Sequence, residues 1–572
     1  MNSFLARQLN KYQGSLDHPS IKEELFVKWL AVSFIYLTAI VIFFHVYFAT
    51  FSTVLIGPPE DNMQDFWNTW YSQTKLDTNP EGFFYTNDLF YPEGTSLLYH
   101  SFSYPNLAIM YLVRYIFGLG SDINTLIFLH NFFLLISFYF GAMGAYYLTR
   151  LFVKSETLAV ISGFIFGFSP FHVAHTLHHM HVGAISFVPF FVYCFLRFMR
   201  ERKTYLALLS AVLWVLSALS CWYYLFYIGY FVIFYYAFYT VRKRLMFWND
   251  MLLPISFITF FVVLMLSPLI IPMILKTSSS VYEEGHNIFL ADLLGFITFH
   301  PYHLLSKIGE PIYSHFKGNY WEMTVYIGLV NATLLLVAFF KKYYKRIENL
   351  DLCMACILFF MLFSLGSWLH IAGQNMYVPL PTLLTEYIPF VKNVRTPSRA
   401  VIFVYLFAGV SVAMIVEYLL VNKKRDIVLA TLCFFSIITF VDFYPSNLES
   451  TPVICPPAYA LIDKDTSRDF GIINLPSGYI QDNRYMMYQA ACSNKPMANG
   501  TVSRKFGDSL IDTLDMSDLE VQKDELKKKK IKYIVIHKKL LDRMNKPIPL
   551  GEYKEHYKLL NEKDGTAILQ VY

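Results

Sequence analysis

Charged side chains are scarce in this sequence. They make up 16% of its 572 residues, whereas 55% of the residues are hydrophobic. An average soluble protein carries about 25% charged residues. Apolar runs of about 17 to 25 residues, long enough to cross a bilayer, recur along most of the chain. The composition therefore excludes an ordinary soluble protein and indicates a polytopic membrane protein.

Cysteines and targeting signals are also few. The seven cysteines do not suffice for a disulfide framework. Only Cys455 and Cys492 lie outside the apolar runs, and they can pair if their region faces an oxidising compartment. No cleavable signal is evident, because the first apolar run has full span length and should stay as an anchor. The net charge of +5 comes from loop lysines and arginines, so it gives no reason to expect nucleic acid.

Eleven apolar runs are predicted to span the membrane. They are residues 29–51, 123–149, 157–169, 182–198, 204–219, 222–240, 251–275, 324–340, 351–367, 398–421 and 426–443. The segment 105–118 is short and carries Arg114, so we expect it to lie along the membrane surface without crossing.

Basic clusters test this count, because they collect in cytoplasmic loops. With the N-terminus in the cytoplasm, every inner connection is basic: 150–154, 197–203, 241–245, 341–346 and 423–425. The outer connections are then 57–121, 169–181, 276–323, 366–397 and everything after 443, together with a short corner at Ser220. A further crossing at 105–118 would put every basic cluster outside. The sequence therefore predicts a cytoplasmic N-terminus and an extracytoplasmic C-terminal region.

The composition becomes that of a soluble domain from about residue 444. Strand-like runs lie at 471–475 and 533–537, and residues 557–572 form a predicted hairpin with its turn near 563–565. Between the strands, 509–530 is predicted to be a helix. No Gly-rich phosphate loop is visible there. We predict two domains, a helical membrane module (1–443) and a small extracytoplasmic α/β domain (444–572).

The first outer connection, 57–121, opens with the stretch GPPEDNMQDFWNTWY, which contains Glu60, Asp61 and Asp65. If 61–73 is helical, Asp61 and Asp65 lie four residues apart on one face, and Trp67 and Trp70 can anchor the helix at the interface. Alternatively, Asp61 caps the helix. The two interpretations are compatible.

Histidines and arginines are concentrated in other outer connections. Five histidines lie at 172–181, and the pairs His175/His179 and His178/His181 have helical spacing that suits a divalent metal. Interfacial hydrogen bonding, or the positioning of sugar hydroxyls, is the alternative. Arg395 and Arg399 precede the tenth span, where a guanidinium fork suits a lipid phosphate. Their alternative is an ion pair with Glu386 or with acids of the outer connections.

Trp321 and Glu322 lie just before the eighth span. They can contact a sugar, although a tryptophan of the interfacial belt beside a polar neighbour is the commoner arrangement.

Four phrases carry a resemblance to a known family. They are LFYPEGTSLLYH (89–100), SPFHVAHTLHHMHVG (169–183), IPFVKNVRTPSRA (388–400) and INLPSGYIQDNRYMMYQAACSNKPMANGTVSR (473–504). Together with the opening span and the acidic outer loop, they resemble integral membrane glycosyltransferases of the GT-C superfamily. The similarity is to a prokaryotic branch related to polyprenyl-phosphate-sugar-dependent enzymes, and it covers nearly the whole chain.

The resemblance implies a helical membrane module with interfacial helices in the first outer loop. It also implies transfer of a sugar from a polyprenyl-phosphate donor to a glycan, lipid or protein acceptor on the extracytoplasmic face of the cytoplasmic membrane. The essential acid of that loop would be Asp61 by position, with Glu60 and Asp65 flanking it. A phosphate leaves as a stable anion, so one general base suffices and the paired carboxylates of glycoside hydrolases are not required.

The remaining roles follow from the same expectation. Arg395 and Arg399 would bind the donor phosphate, and Trp321 and Glu322 the donor sugar. A larger set would contact substrate or hold a divalent metal: His175, His178, His179 and His181. The resemblance implies no certain cofactor, and a divalent metal stays open because some GT-C enzymes are metal-dependent and others are not.

Two other classes of function are alternatives to a glycosyltransferase. A transporter or flippase of lipid-linked glycans needs ionisable groups within its spans, and their scarcity here argues against it. A non-catalytic envelope scaffold is the other alternative, and loss of Asp61 would leave its function intact.

Overall fold

The structure of the protein is a computed structural model. It describes residues 19–572 except 77, 80–81, 244–251, 277–287, 389–390, 392–393, 466, 468, 477–479, 506, 539–547 and 564.

The membrane module consists of helices with short strands between them. Its first part contains α1 (Pro19–Phe43), β1 (Val54–Ile56), α2 (Asp61–Thr74), β2 (Tyr85–Thr86), β3 (Thr95–Ser96), α3 (Tyr104–Ile116), α4 (Ile123–Thr149), α5 (Glu156–Gly167), α6 (Pro170–His178), α7 (Met180–Gly183) and α8 (Phe187–Glu201). Its second part contains α9 (Thr204–Ser220), α10 (Trp222–Lys243), α11 (Leu253–Lys276), α12 (Ser306–Tyr313), α13 (Leu329–Phe340), α14 (Leu350–Ser364), β4 (Trp368–Ile371), β5 (Gln374–Pro379), α15 (Val401–Leu420) and α16 (Arg425–Phe443).

The predicted polytopic helical membrane fold is confirmed. Within the described residues, eight helical stretches are long and apolar enough to cross a bilayer: Phe26–Phe43, Ile123–Thr149, Glu156–His178, Met180–Glu201, Trp222–Arg242, Leu253–Leu275, Pro397–Leu420 and Arg425–Phe443. Three shorter apolar helices, α9, α13 and α14, lie at the other predicted runs. Whether these three complete eleven crossings stays a prediction.

Some predicted bounds are wrong for local reasons. The run 324–340 forms a helix only from Leu329, because Gly328 precedes it with a φ of 89° that interrupts helical geometry. The first run, 29–51, is an α-helix only as far as Phe43, and a short 3₁₀ helix follows at His45–Thr50.

Helix α15 is the centre of the membrane module. Its residues 401–416 are all buried, whereas α11 and α16 expose most of their apolar surface. In a membrane protein, outward-facing apolar surface contacts lipid, so α11 and α16 form part of the perimeter.

The two ends of α15, about 30 Å apart for a helix of 20 residues, contact different sets of connections. At the C-terminal end, Glu417 accepts hydrogen bonds from the backbone N–H groups of Lys154 and Ser155, both at 2.8 Å. At the N-terminal end, Arg399 pairs with Glu322. Inner connections thus meet at one end and outer connections at the other.

Further contacts join the outer connections to one another. Strand β1, just before the first outer connection, pairs antiparallel with β6 (Ser450–Pro452), which follows the last span. The side chain of Asp292 accepts hydrogen bonds from the N–H groups of Ala372 and Gly373. These contacts join β1 to β6, and Asp292 to the turn between β4 and β5.

Helix α3 occupies the segment predicted to lie along the membrane surface. It has 13 residues and buries Leu107 and Met110, while Leu112 and Tyr115 are exposed. The guanidinium of Arg114 donates to the backbone oxygen of Gln73 at 2.9 Å, which ties α3 to α2. Its position at the membrane surface stays a prediction.

The C-terminal region is an α/β unit, as predicted. After β6 it contains α17 (Tyr459–Asp463), β7 (Gly471–Leu475), α18 (Ile480–Met487), α19 (Gln489–Ser493), α20 (Leu510–Thr513), α21 (Leu519–Lys528), β8 (Ile531–His537), α22 (Leu550–His556), β9 (Lys558–Lys563) and β10 (Thr566–Gln570). The sheet order is β7-β8-β10-β9, with β7 parallel to β8 and the other pairs antiparallel. The two strands and the closing hairpin predicted from the sequence are therefore confirmed.

One helix of this unit was predicted too long. Residues 509–530 form two helices, α20 and α21, with a break at 514–518. Asp515 accepts hydrogen bonds from the N–H and hydroxyl of Ser517, and Asp518 accepts from the N–H groups that begin α21. Short acidic side chains compete in this way with continuous helix, so the break follows from local chemistry.

Strands β7, β8 and β10 of this sheet are buried on both faces, and the edge strand β9 is more exposed. Ile473, Ile534 and Leu569 pack on one side with residues of α20 to α22. Their neighbours Ile472 and Val535 point to the other side and share a hydrophobic cluster with α2. Successive strand residues alternate between faces, so one sheet joins the core of its own unit to the first outer connection.

The cysteines of the C-terminal region form a disulfide between Cys455 and Cys492. The bond connects the segment just after β6 to α19. Pairing was an open possibility from the sequence, and it is confirmed.

The orientation of the module is testable with topology reporters. We expect a reporter fused within 241–245 to report the cytoplasm and one fused after Tyr572 to report the opposite side, because inner and outer connections gather at different ends. Alkaline phosphatase and fluorescent-protein fusions measure this. An extracytoplasmic signal from 241–245 would overturn the orientation.

Candidate active site

The first outer connection is held tightly against the histidine helix α6. Gly57 has a φ of 106°, and a Cβ added there would meet the carbonyl oxygen of Leu177 at 1.8 Å. Only glycine allows that close approach. The acidic stretch that follows is therefore placed beside the end of α6.

Helix α2 begins at Asp61, as predicted, so Asp61 and Asp65 lie one turn apart. Its N-cap residue is Glu60. The interpretation of Asp61 as the cap is wrong, because Asp61 is the first residue inside the helix and its carboxylate has other partners.

The carboxylate of Asp61 lies between two cationic or ionisable groups from distant parts of the chain. Its Oδ2 is 2.9 Å from Nε2 of His179, and its Oδ1 is 2.9 Å from Nη2 of Arg484. Burial alone would raise the pKa of Asp61, but the charges and hydrogen bond of His179 and Arg484 outweigh burial and hold that pKa well below its usual range. Asp61 is therefore an ionised carboxylate at neutral pH.

Asp65 has the opposite electrostatic character. It is buried, its Oδ2 accepts a hydrogen bond of 2.7 Å from the N–H of Met180, and Nδ1 of His181 lies 4.0 Å from its Oδ1. Burial raises the pKa of Asp65 to about 8, with a further contribution from the charge of Asp61. Two neighbouring carboxyl groups are thus separated into an ionised one and a largely protonated one.

Glu60 lies at the more exposed edge of this cluster. Its Oε2 is 3.5 Å from Nδ1 of His178, while Nε2 of His178 is 2.7 Å from the hydroxyl of Tyr302. The ring of His178 also stacks on Trp321, with centroids 3.9 Å apart. Three outer connections therefore meet at His178.

The histidine segment is not one continuous helix. Helix α6 ends at His178, His179 has extended geometry with a φ of −144°, and α7 begins at Met180. The predicted helical spacing of His175/His179 and His178/His181 is therefore wrong. The break turns His179 towards Asp61 and directs the N–H of Met180 to Asp65. His172 is separate, because its ring nitrogens lie 2.6 and 2.8 Å from the carbonyls of Gly167 and Gly183.

The residues were tested for a metal site. In the described part of the chain, no three His, Cys, Asp or Glu side chains are grouped so that they could hold a metal ion. Each carboxylate instead faces a different imidazole, Glu60 with His178 and Asp61 with His179. A divalent metal stays a prediction, and no chemical step below depends on it.

A second buried charge cluster lies next to the first. Glu322 accepts hydrogen bonds from Nε and Nη2 of Arg399 at 2.8 and 2.5 Å, and from the hydroxyl of Ser398 at 2.6 Å. The guanidinium of Arg399 also lies over Tyr223, and Nε2 of His175 is 3.6 Å from Glu322. Both charged side chains are buried. Arg399 and Glu322 therefore satisfy one another, as the ion-pair alternative expected, with Glu322 as partner and not Glu386.

Arg395 and Trp321 complete the set of predicted site residues. Arg395 is half-buried in the segment leading to the 3₁₀ helix Pro397–Ala400, which carries Arg399. Trp321 is half-buried and stacks on His178.

Trp67 and Trp70 are buried inside the protein and do not anchor α2 at a lipid surface. Trp67 stacks on Tyr71, with centroids 4.8 Å apart, in the core shared with the C-terminal sheet. The predicted anchoring role is wrong, because the C-terminal unit covers this face of α2.

Two residues of the cluster were not found from the sequence. Arg484 lies in the segment YIQDNRYMM, which carries only the family resemblance. Tyr302 lies between His300 and His303 and has no motif of its own. Neither has a local signal, since each acquires its role from a partner more than a hundred residues away. The one sequence signal for Arg484 is its charge within the segment 473–504, which carries the family resemblance.

Solved structures with a similar fold include a crystal structure of the Archaeoglobus fulgidus oligosaccharyltransferase in the apo form. It is 12% identical, with a TM-score of 0.52, over 93% of this chain and 72% of that chain. The same protein tethered to an acceptor peptide with an NVT sequon is 12% identical, with a TM-score of 0.50, over 94% and 73%. ArnT from Cupriavidus metallidurans, in the apo state, is 10% identical with a TM-score of 0.42, over 96% and 98%. No curated protein matches the sequence.

The structural likeness confirms the predicted GT-C fold. The sequence itself matches the family described as a domain of unknown function, DUF6311, over residues 67–443. The match takes in the histidine segment, Glu322 and Arg399, and begins just after Asp61 and Asp65. Since it spans more than half of the chain, this protein belongs to the DUF6311 family.

Proposed function

We propose that this protein is a membrane glycosyltransferase that moves one sugar from a polyprenyl-phosphate donor to a glycan, lipid or protein acceptor on the extracytoplasmic face. The observation that carries the proposal is the ionised Asp61, which lies between His179 and Arg484. The similar archaeal protein is an oligosaccharyltransferase, and one of its structures carries an acceptor peptide. That name supports transfer of a glycan on this fold.

The reaction requires one general base and a binding site for the phosphate. The bond between the sugar C1 and the phosphate oxygen breaks, and its electron pair leaves with the phosphate. The acceptor oxygen forms the new bond to C1 from the opposite face, with inversion, and its proton passes to Asp61. A carboxylate must be ionised to accept that proton. The partners of Asp61 keep it so.

Asp65 and Glu60 flank the base in supporting roles. Asp65, largely protonated near neutral pH, fixes the chain after His179 through Met180. Glu60 orients His178, which in turn packs on Trp321. In this proposal Trp321 offers its ring to the donor sugar. His178, His179 and His181 lie against the carboxylates of Glu60, Asp61 and Asp65, and His175 lies against Glu322.

Arg395 and Arg399 were expected at the donor phosphate. Arg399 is buried and directs Nε and Nη2 to Glu322, and a buried carboxylate that loses this partner is costly. We therefore assign Arg399 and Glu322 to the support of the histidine segment, through His175. Arg395 stays a candidate for the donor phosphate.

The disulfide supports the proposed location of the C-terminal unit. Disulfides persist in oxidising compartments and are rare in the cytosol. Cys455–Cys492 lies in the unit that also supplies Arg484 to the cluster. The extracytoplasmic placement of that unit, and of the site, is part of the proposal.

Replacing Asp61 tests the base. We expect Asp61→Asn to lower sugar transfer by about 100-fold or more, because the amide cannot accept the proton, while the protein still folds and inserts. Mass spectrometry of surface glycans measures the product in cells that carry the variant in place of the wild-type protein. The matched control is Asp122→Asn, which keeps the N-cap of α4. Near-normal product from Asp61→Asn at equal protein level would refute the assignment.

Replacing Arg399 separates support from phosphate binding. We expect Arg399→Ala to destabilise the protein by about 3–5 kcal/mol, because it leaves Glu322 charged and unpaired in a buried site. The double variant Arg399→Met with Glu322→Gln should recover part of that loss. Thermal unfolding of the purified protein in detergent measures both. An unchanged melting temperature together with weaker donor binding would instead favour a phosphate role.

A further inference from the structure

The carboxylate cluster repels a substrate that is an anion. Glu60 and the ionised Asp61 are adjacent in the chain, and a lipid phosphate adds more negative charge. An anion is stabilised there only beside a cation. Arg399, which was expected at the phosphate, is held by Glu322. A different arginine contacts Asp61 of the cluster.

That arginine is Arg484, on α18 of the C-terminal unit. It uses Nη2 to contact Oδ1 of Asp61, and its side chain keeps about a quarter of its surface exposed. The Nε atom is buried, and no described residue accepts a hydrogen bond from it. A guanidinium has five N–H donors in a fixed fork. Arg484 therefore has donors to spare beside the ionised carboxylate.

The position of Arg484 is fixed from several directions. Helix α18 packs against α2, the helix that carries Asp61. Strand β1, just before Asp61, pairs with β6, and the disulfide from Cys455 after β6 reaches Cys492, eight residues beyond Arg484. The chain thus closes a loop from Asp61 through the strand pair and the disulfide back to Arg484. The strand pair and the disulfide restrict where the backbone of Arg484 can lie, and so keep its side chain close to Asp61.

We propose that Arg484 is a phosphate-binding residue of this site, and that its guanidinium passes from Asp61 to the phosphate of the lipid donor when the donor binds. The inference rests on the proposed function and names the group that receives its anionic substrate. An arginine that binds a phosphate with two parallel N–H donors makes a stronger and better oriented contact than one that shares a single donor with a carboxylate.

Transfer of the Arg484 guanidinium from Asp61 to the donor phosphate has two consequences. The C-terminal unit becomes part of the substrate site, which is complete only when that unit is docked on α2. Asp61 is also left with His179 alone when the phosphate takes Arg484, so the carboxylate faces the acceptor hydroxyl only after the donor has arrived. Arg484 thereby makes proton transfer to Asp61 depend on prior binding of the donor.

Binding of polyprenyl phosphate tests the proposal without any knowledge of the sugar. The probe is undecaprenyl phosphate, added to the purified full chain in nanodiscs of zwitterionic lipid, with binding followed by intrinsic tryptophan fluorescence or native mass spectrometry. We expect Arg484→Gln to weaken this binding by about 10- to 100-fold, because a charge-assisted contact is lost. Arg484→Lys, which keeps the charge and loses the fork, should fall between.

Control ligands and a control variant identify the source of the effect. Undecaprenol, which lacks the phosphate, should bind wild type and Arg484→Gln alike. Inorganic phosphate should compete only at far higher concentration; competition at the concentration of the lipid would overturn the lipid donor. Lys532→Gln is the matched control, because it breaks the pair with Asp465 in the same unit and touches no residue of the cluster. It should bind as wild type.

The outcomes separate this inference from the proposed function. Unchanged binding of undecaprenyl phosphate by Arg484→Gln, with transfer still lost in Asp61→Asn, would refute the role of Arg484 and leave the function standing. No binding by the wild-type protein would refute both. Equal loss for undecaprenol and its phosphate would show a packing effect, and that also overturns the proposal.

Discussion

The contact of one carboxylate with two distant partners is the constraint on which this structure depends. Asp61 binds His179 of the membrane module through one oxygen and Arg484 of the C-terminal unit through the other. Ion pairs that are partly removed from water depend on partners that are held in place. The fold must therefore fix three segments that are far apart in sequence. The tight approach at Gly57, the β1–β6 pair and the disulfide each serve that requirement.

The C-terminal unit is more than an appendage to the membrane module. Its sheet buries Ile472 and Val535 against α2, where Trp67 belongs to the same core. Burial of large aromatic and aliphatic side chains contributes about 1.5–3 kcal/mol each, far more than an exposed ion pair. Apolar packing therefore docks the unit, and the ionic contact of Arg484 depends on that docking. The membrane module alone would leave α2 uncovered and Asp61 without its second partner.

Local patterns predicted much of this fold, and long-range contacts account for what was missed. The membrane helices, strand β7 and the closing hairpin follow from hydrophobic runs and turn residues, which need no knowledge of partners. The acidic and histidine segments were found by composition and resemblance. The helix break at His179, the choice of Glu322 as the partner of Arg399 and the place of Arg484 were not predictable. Each is decided by a side chain from another part of the chain.

The central claim is that this site consumes a sugar carried on a lipid phosphate. The pool of polyprenyl-phosphate-linked sugars in lipid extracts tests it most directly, measured by mass spectrometry in cells with and without the protein. The account predicts that one such donor accumulates when the protein is removed and returns to its ordinary level when the protein is restored. An identical donor pool in both cells, with identical surface glycans, would contradict it.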